Sequence, residues 1–133
     1  MSKVRVLSWN LNNRVGLNPF RADAANAAAS TNADICVFTE FYPGTYSEAF
    51  NEALVREGYL HSILSQEVKL RANKVLIASK FPITKIEPNF SSCHDDQLRS
   101  NTAICFLPDF NLSVIGVRLP WYKDRKLIFS AWD

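Results

Sequence analysis

Ala33-Asp34-Ile35-Cys36-Val37-Phe38-Thr39-Glu40-Phe41 is the stretch on which the fold turns. Ile35 to Phe38 is an unbroken apolar run with β-branched and aromatic members, the pattern of a strand covered on both faces, and Glu40 stands at its carboxyl end. A desolvated carboxylate without a partner is costly, so Glu40 must meet an arginine, a lysine, a protonated donor or a metal ion. A structural ion pair is the plainest of these answers.

Upstream, Val4-Arg5-Val6-Leu7-Ser8-Trp9-Asn10 reads as a second strand, and it too ends on an oxygen-bearing side chain. Between the two lies a helical segment: Asn18 can cap it, Pro19 suits its first turn, and Phe20, Ala24, Ala27 and Ala28 follow at helical spacing. A right-handed strand-helix-strand crossover makes the strands parallel. Asn10 and Glu40 then share the edge where open α/β sheets bind ligands. An amide oxygen beside a carboxylate is hard-oxygen chemistry suited to Mg2+ or Mn2+, whereas Zn2+ would call for His or Cys.

Leu7-Ser8-Trp9-Asn10-Leu11-Asn12, followed after one helix by Ala33 to Glu40, resembles the first two motifs of the endonuclease/exonuclease/phosphatase superfamily. That superfamily comprises metal-dependent phosphodiesterases, among them abasic-site endonucleases, pancreatic-type deoxyribonucleases and sphingomyelinases. Two later stretches continue the resemblance in order. Asn73-Lys74-Val75-Leu76-Ile77-Ala78-Ser79-Lys80-Phe81-Pro82-Ile83 is similar to the family's strand ending in Ser, a basic residue, a hydrophobic residue and Pro. Leu112-Ser113-Val114-Ile115-Gly116-Val117-Arg118-Leu119-Pro120 is similar to its later strand that ends on a histidine. Arg118 stands where the family usually has His or Tyr. An arginine there keeps its charge at working pH and can clamp a phosphate bidentately, but it cannot shuttle a proton; it can equally be the partner that neutralises Glu40.

The resemblance implies an α/β fold: a twisted mixed sheet of about six strands with two helices on one face, half of a four-layer α/β sandwich. It implies Mg2+-dependent hydrolysis of a phosphate ester by a hydrolase of the phosphodiesterase, nuclease or phosphatase kind, Mn2+ being the alternative ion. Asn10 and Glu40 would hold the metal, and Asn10, Glu40 and Arg118 would form the catalytic set. Asn12, Arg71 and Asn73 are candidate phosphate contacts, each with solvated-loop behaviour as the ordinary alternative. A phosphate ester, nucleic acid included, is the implied partner.

The family's later Gly-Asp-x-Asn and Asp-His motifs have no counterpart here: there is no Gly-Asp dipeptide, and both histidines, His61 and His94, precede the fourth motif. Residues 1–133 are therefore expected to form the amino-terminal part of one such domain, with the general base in a missing carboxyl-terminal half and the chain alone inactive. One face of the sheet, rich in Val, Ile, Phe and Cys, is then expected to lie bare, with aggregation or unfolding as the result. Trp121 to Leu127 reads as the start of a helix. A catalytically dead binding module of the same fold, or an unrelated α/β domain with a structural Glu40-Arg118 ion pair, are the alternatives.

Between these motifs, Thr45-x-x-Glu48 has the form of a capping box opening a second helix with Tyr46, Phe50, Ala53 and Leu54 on one face, and Gly58 is placed to end it. Cys93-His94-Asp95-Asp96 has no second ligand pair at zinc-type spacing and reads as an exposed loop. Gln97, Arg99, Ser100 and Asn101 follow on the cleft side that the resemblance implies. Pro108-Asp109-Phe110-Asn111 separates two strand-like runs as a hairpin.

A formal net charge of +2 is too small to mark the chain as a general polyanion binder, so phosphate recognition would rest on local placement of Lys and Arg. Three cysteines, Cys36, Cys93 and Cys105, two of them inside strands, read as reduced thiols of a cytoplasmic protein. No apolar run approaches the roughly 20 residues of a membrane helix.

Overall fold

A computed structural model of the chain describes residues 3–12, 23–66, 72–89 and 96–119. The elements run β1 (Val6–Asn10), α1 (Asp23–Ser30), β2 (Ile35–Phe41), α2 (Ser47–Arg56), β3 (His61–Leu64), β4 (Lys74–Ser79), β5 (Thr84–Ile86), α3 (Asp96–Ser100), β6 (Thr102–Leu107) and β7 (Leu112–Val117). The fold is α/β with a mixed sheet carrying helices on one face. Its strands nevertheless divide into two sheets rather than one of six.

Four strands form the larger sheet in the order β1-β2-β4-β3. β1 and β2 are parallel, and β2–β4 and β3–β4 are antiparallel. On one face Cys36, Phe38, Leu76 and Ala78 pack under Ala25 and Ala28 of α1 and Phe50, Ala53 and Leu54 of α2. The α1 stripe is displaced from the expected one: Ala25 and Ala28 are buried, and Ala27 is exposed. Small side chains let that helix approach the strands closely. Asn18, Pro19 and Phe20 lie outside the described residues.

The capping box is not formed. Helix α2 starts at Ser47 without a side-chain cap, because Thr45 and Tyr46 stay in the preceding turn; there the Gly44 N–H donates to Ser47 Oγ at 2.7 Å and the Ser47 N–H to the Gly44 carbonyl at 3.1 Å. The other end follows the expectation. Gly58 has φ +98°, with its N–H on the Val55 carbonyl and the Tyr59 N–H on the Leu54 carbonyl, the double bond pattern that closes a helix over a left-handed residue.

Over β2 and β4 the opposite face of the larger sheet is covered, contrary to expectation, while at β1 Val6 and Ser8 stay exposed. Strands β5, β6 and β7 make a second, antiparallel sheet whose Ala103, Cys105 and Leu107 pack on Ile35, Val37, Val75 and Ile77, all of them buried. The two layers approach tightly at Gly116: a Cβ there would lie 2.7 Å from Val37 Cγ1 and 2.8 Å from Val75 Cγ1, so any larger residue would force these side chains to shift. Besides Val6, exposed apolar side chains sit on the outer face of the second sheet and at its margin, at Ile86, Ile115, Val117 and Leu119. β6 and β7 are joined through a 3-10 turn, Pro108–Phe110, and a left-handed Asn111, as the hairpin reading anticipated.

Cys36 and Cys105 are buried free thiols, one on each side of the larger sheet. Burial raises the pKa of both; the Tyr59 hydroxyl and the Lys80 charge oppose the rise at Cys36, and the Val114 backbone opposes it at Cys105. A raised pKa means less thiolate at any given pH, and the thiolate is the nucleophile. At pH 8 the native chain is therefore expected to leave both unmodified by iodoacetamide while the urea-unfolded chain is alkylated at both, read by peptide mass spectrometry. Native alkylation at the unfolded rate would show that these layers are not packed as described.

Candidate functional site

Parallel pairing puts Asn10 opposite Thr39, with the Leu11 N–H on the Thr39 carbonyl at 2.9 Å, so Asn10 and Glu40 leave the sheet as neighbours at one edge. Along β1, Leu7 and Trp9 pack against the helix-side cluster, which leaves Val6, Ser8 and Asn10 on the face of the second sheet. Strict alternation would send Glu40 the other way, because Phe38 faces the helices.

A bulge redirects it. The β2–β4 register shifts between Phe38 and Phe41, and both of these phenylalanines lie in the helix-side cluster, although three residues apart they would ordinarily face opposite ways. Thr39 and Glu40 share the extra step, and Glu40 has φ +54°. Bulges of this kind re-aim side chains beside functional clefts. Four non-glycine residues among those described have positive φ; three are asparagines, which tolerate it, and the fourth is Glu40.

The redirected carboxylate meets Arg118, the first residue past β7. Arg118 Nε donates to Glu40 Oε1 at 3.1 Å, and the two side chains are only 19% and 18% exposed. Arg118 also donates from Nη1 to Asn101 Oδ1 at 3.4 Å, while its backbone N–H donates to the Asn101 carbonyl at 2.9 Å. The edge is further tied by Ser65, whose hydroxyl donates to the Ser100 carbonyl and accepts the Val75 N–H at 3.0 Å. The pair thus bridges the two sheets at their common margin.

The remaining candidates are placed less uniformly. Asn10 Oδ1 accepts the Asn12 N–H at 2.8 Å, so Asn12 shapes the corner and is itself exposed. Asn73 precedes β4 at the same edge, since Phe41 pairs with Lys74; carrying β4's alternation back one residue puts it on the face of Val75 and Ile77, toward the second sheet. Its Oδ1 is buried without a hydrogen-bond partner among the described residues. Arg71 lies outside the described residues, as do Cys93, His94, Asp95 and the segment Trp121 to Leu127. Among the described residues no group of three or more His, Cys, Asp and Glu side chains converges.

Sequence reasoning paired Glu40 with Arg118 as one of two alternatives and had no means of finding the bulge, since no glycine marks it. Asn101, a cleft-side residue by the resemblance, is also the residue opposite Arg118 when the hairpin is counted outward from its turn. Ser65, which no motif marks, is 3% exposed and joins the sheets.

This arrangement coincides with a family assignment. The model of the endonuclease/exonuclease/phosphatase family matches residues 7–130, and the chain belongs to that family. Among solved structures, an endonuclease/exonuclease/phosphatase from Beutenbergia cavernae DSM 12333 superposes with a TM-score of 0.62 at 17% identity, over 91% of this chain and 39% of that one. D. rerio TDP2, complexed with single strand DNA product, superposes with a TM-score of 0.60 at 16% identity, over 99% of this chain and 52% of that one. The chain spans about half or less of the length of these structures, and at such identity the likeness concerns the fold. No curated protein matches. The family membership removes the reading of an unrelated α/β domain, while the Glu40-Arg118 ion pair which that reading invoked is present. No helix among the described residues is long and apolar enough to cross a membrane.

Proposed function

We propose that this chain supplies the Asn10, Glu40 and Arg118 part of a site that hydrolyses a phosphate ester with a divalent cation, Mg2+ or Mn2+. The observation that supports this is the aim of Glu40: a non-glycine residue in a left-handed conformation, at a bulge, directs the carboxylate to the edge that Asn10 also reaches. Backbone strain of this sort is maintained where a side chain must point against the strand's own alternation.

The donor chemistry fits a hard cation. Glu40 Oε2 makes no hydrogen bond within the described residues, and the Asn10 amide oxygen, with one N–H already on it, has a second lone pair. One carboxylate and one amide suit Mg2+, which keeps several waters and takes other oxygens from the substrate phosphate. Glu40 and Asn10 would hold the ion, and a bound ion would supply Lewis-acid polarisation of a phosphoryl oxygen. Arg118, charged throughout the working range, would neutralise developing charge on the phosphoryl oxygens with the guanidinium hydrogens it does not spend on Glu40 and Asn101. Asn12 and Asn73, with Arg71, are the candidate contacts to the rest of the ester. The proton acceptor comes from outside the described residues, in keeping with a chain that is the amino-terminal part of one such domain.

Nucleic acid is the ester we favour, because a fold neighbour is described with single strand DNA product. Two buried free thiols are in keeping with a reducing, cytoplasmic setting. The test is a Mg2+ titration of the full-length protein and its Glu40→Gln variant with a single-stranded oligonucleotide and an aryl phosphodiester. We expect Mg2+-dependent cleavage that falls about a hundredfold in the variant, the scale on which losing one charge-stabilising group acts. Equal rates would take Glu40 out of the reaction, and no cleavage of any phosphate ester by the full-length protein would favour a catalytically dead binding module.

A further inference from the structure

We propose that Asn101 is a positioning residue that presents the Arg118 guanidinium to phosphate. This rests on the reading of Arg118 as a phosphate ligand. Thr102 pairs with Val117, so Asn101 and Arg118 are the next cross-strand neighbours of the β6–β7 ladder, and the Arg118 N–H to Asn101 carbonyl bond at 2.9 Å continues it. Directly opposed residues stand about 4.5–5.5 Å apart at Cβ, close enough for a carboxamide to reach a guanidinium that turns back along the strand.

A free arginine side chain has several rotatable bonds, and holding it in one orientation sacrifices considerable rotamer entropy. Here two acceptors of different kinds fix it. Glu40 Oε1 takes Nε–H from the larger sheet, and Asn101 Oδ1 takes a hydrogen of Nη1 from the smaller one. Two contacts on a planar group fix its plane as well as its position. Within the described residues three of the five guanidinium hydrogens are then not engaged, one on Nη1 and both on Nη2, and one from each of these nitrogens can meet a phosphate as two parallel bonds.

Asn101 is itself held. It is 4% exposed, and its neighbour Ser100 receives the Ser65 hydroxyl, which in turn takes the Val75 N–H in the larger sheet. The acceptor is thus anchored to both layers, and a neutral amide performs this role without drawing the guanidinium away from phosphate as a second carboxylate would.

Two measurements on 15N-labelled full-length protein test this. One is the solvent-exchange rate of the Arg118 Nε–H; the other is binding of inorganic phosphate. Asn101→Leu, with the same branching and heavy-atom count but lacking the acceptor, is expected to speed exchange about tenfold and to weaken phosphate binding by a similar factor. Asn101→Asp keeps an acceptor and is expected to keep the slow exchange. If Asn101→Leu does not fold, Asn101→Ala gives the same reading. Unchanged exchange in the folded acceptor-free variant overturns the proposal, as does a lower melting temperature as the only effect. Faster exchange in that variant, in a protein that binds no phosphate to begin with, upholds the positioning of Arg118 and removes the phosphate reading.

Discussion

Arg118→Met is expected to lower the free energy of unfolding by about 3 kcal/mol, near the lower end of what removing one partner of a buried ion pair entails. The lower end applies because each side chain keeps about a fifth of its surface in water. Deleting the cation leaves the Glu40 carboxylate at the junction of two sheets without the ion-pair partner it has among the described residues, while the bulge still aims it toward that junction. Glu40→Gln should be the milder change, because Arg118 retains Asn101 Oδ1 and a neutral amide oxygen in place of the carboxylate. In the double variant no unpaired charge remains, so much of the loss is restored. Urea unfolding of the four proteins closes a cycle whose coupling we expect to lie within about 1–3 kcal/mol. Strict additivity would mean that the two charges do not sense one another.

The second large effect lies two residues upstream. Phe38→Ala is expected to cost about 3–5 kcal/mol, as for other fully buried aromatics cut back to alanine. Phe38 is completely buried between the larger sheet and α2, with its ring 5.5 Å from Phe50 in an edge-on contact and 6.3 Å from Trp9. No flexible side chain among these is placed to fill the space. Phe38→Leu should recover part of the loss, and urea midpoints at unchanged slope would show the change to be one of native stability. A loss below about 1 kcal/mol for the alanine variant would indicate that the helix layer rests loosely on the strands.

How far such a site can be seen in a sequence is clearest residue by residue. Ile35 to Phe38 announced a strand because continuous apolar character has few other uses at that length, and Asn10 fell beside Glu40 because a helix between two strands fixes their relative direction. Counting outward from the Pro108–Asn111 turn reaches Asn101 opposite Arg118, so that contact was open to inspection once the hairpin was accepted. The division into two sheets was not. Thr84 to Ile86 is three residues long and exposed, and its pairing with β6 depends on distant chain. The orientation of Glu40 was equally hidden, since a bulge without glycine leaves no compositional mark and only the register of two ladders discloses it. The capping box failed for a local reason, a competing turn in which Ser47 serves Gly44 rather than the helix.

Glu40 holds a backbone posture that disfavours side chains larger than hydrogen by about 1–2 kcal/mol. A glycine at that spot would relieve the posture but forfeit the Arg118 ion pair, whose coupling is of the same size. Thermostability screening on this scaffold would accordingly keep either partner while the other stands but tolerate their joint replacement, and a library that tracked melting temperature without an assay of chemistry would let both go together.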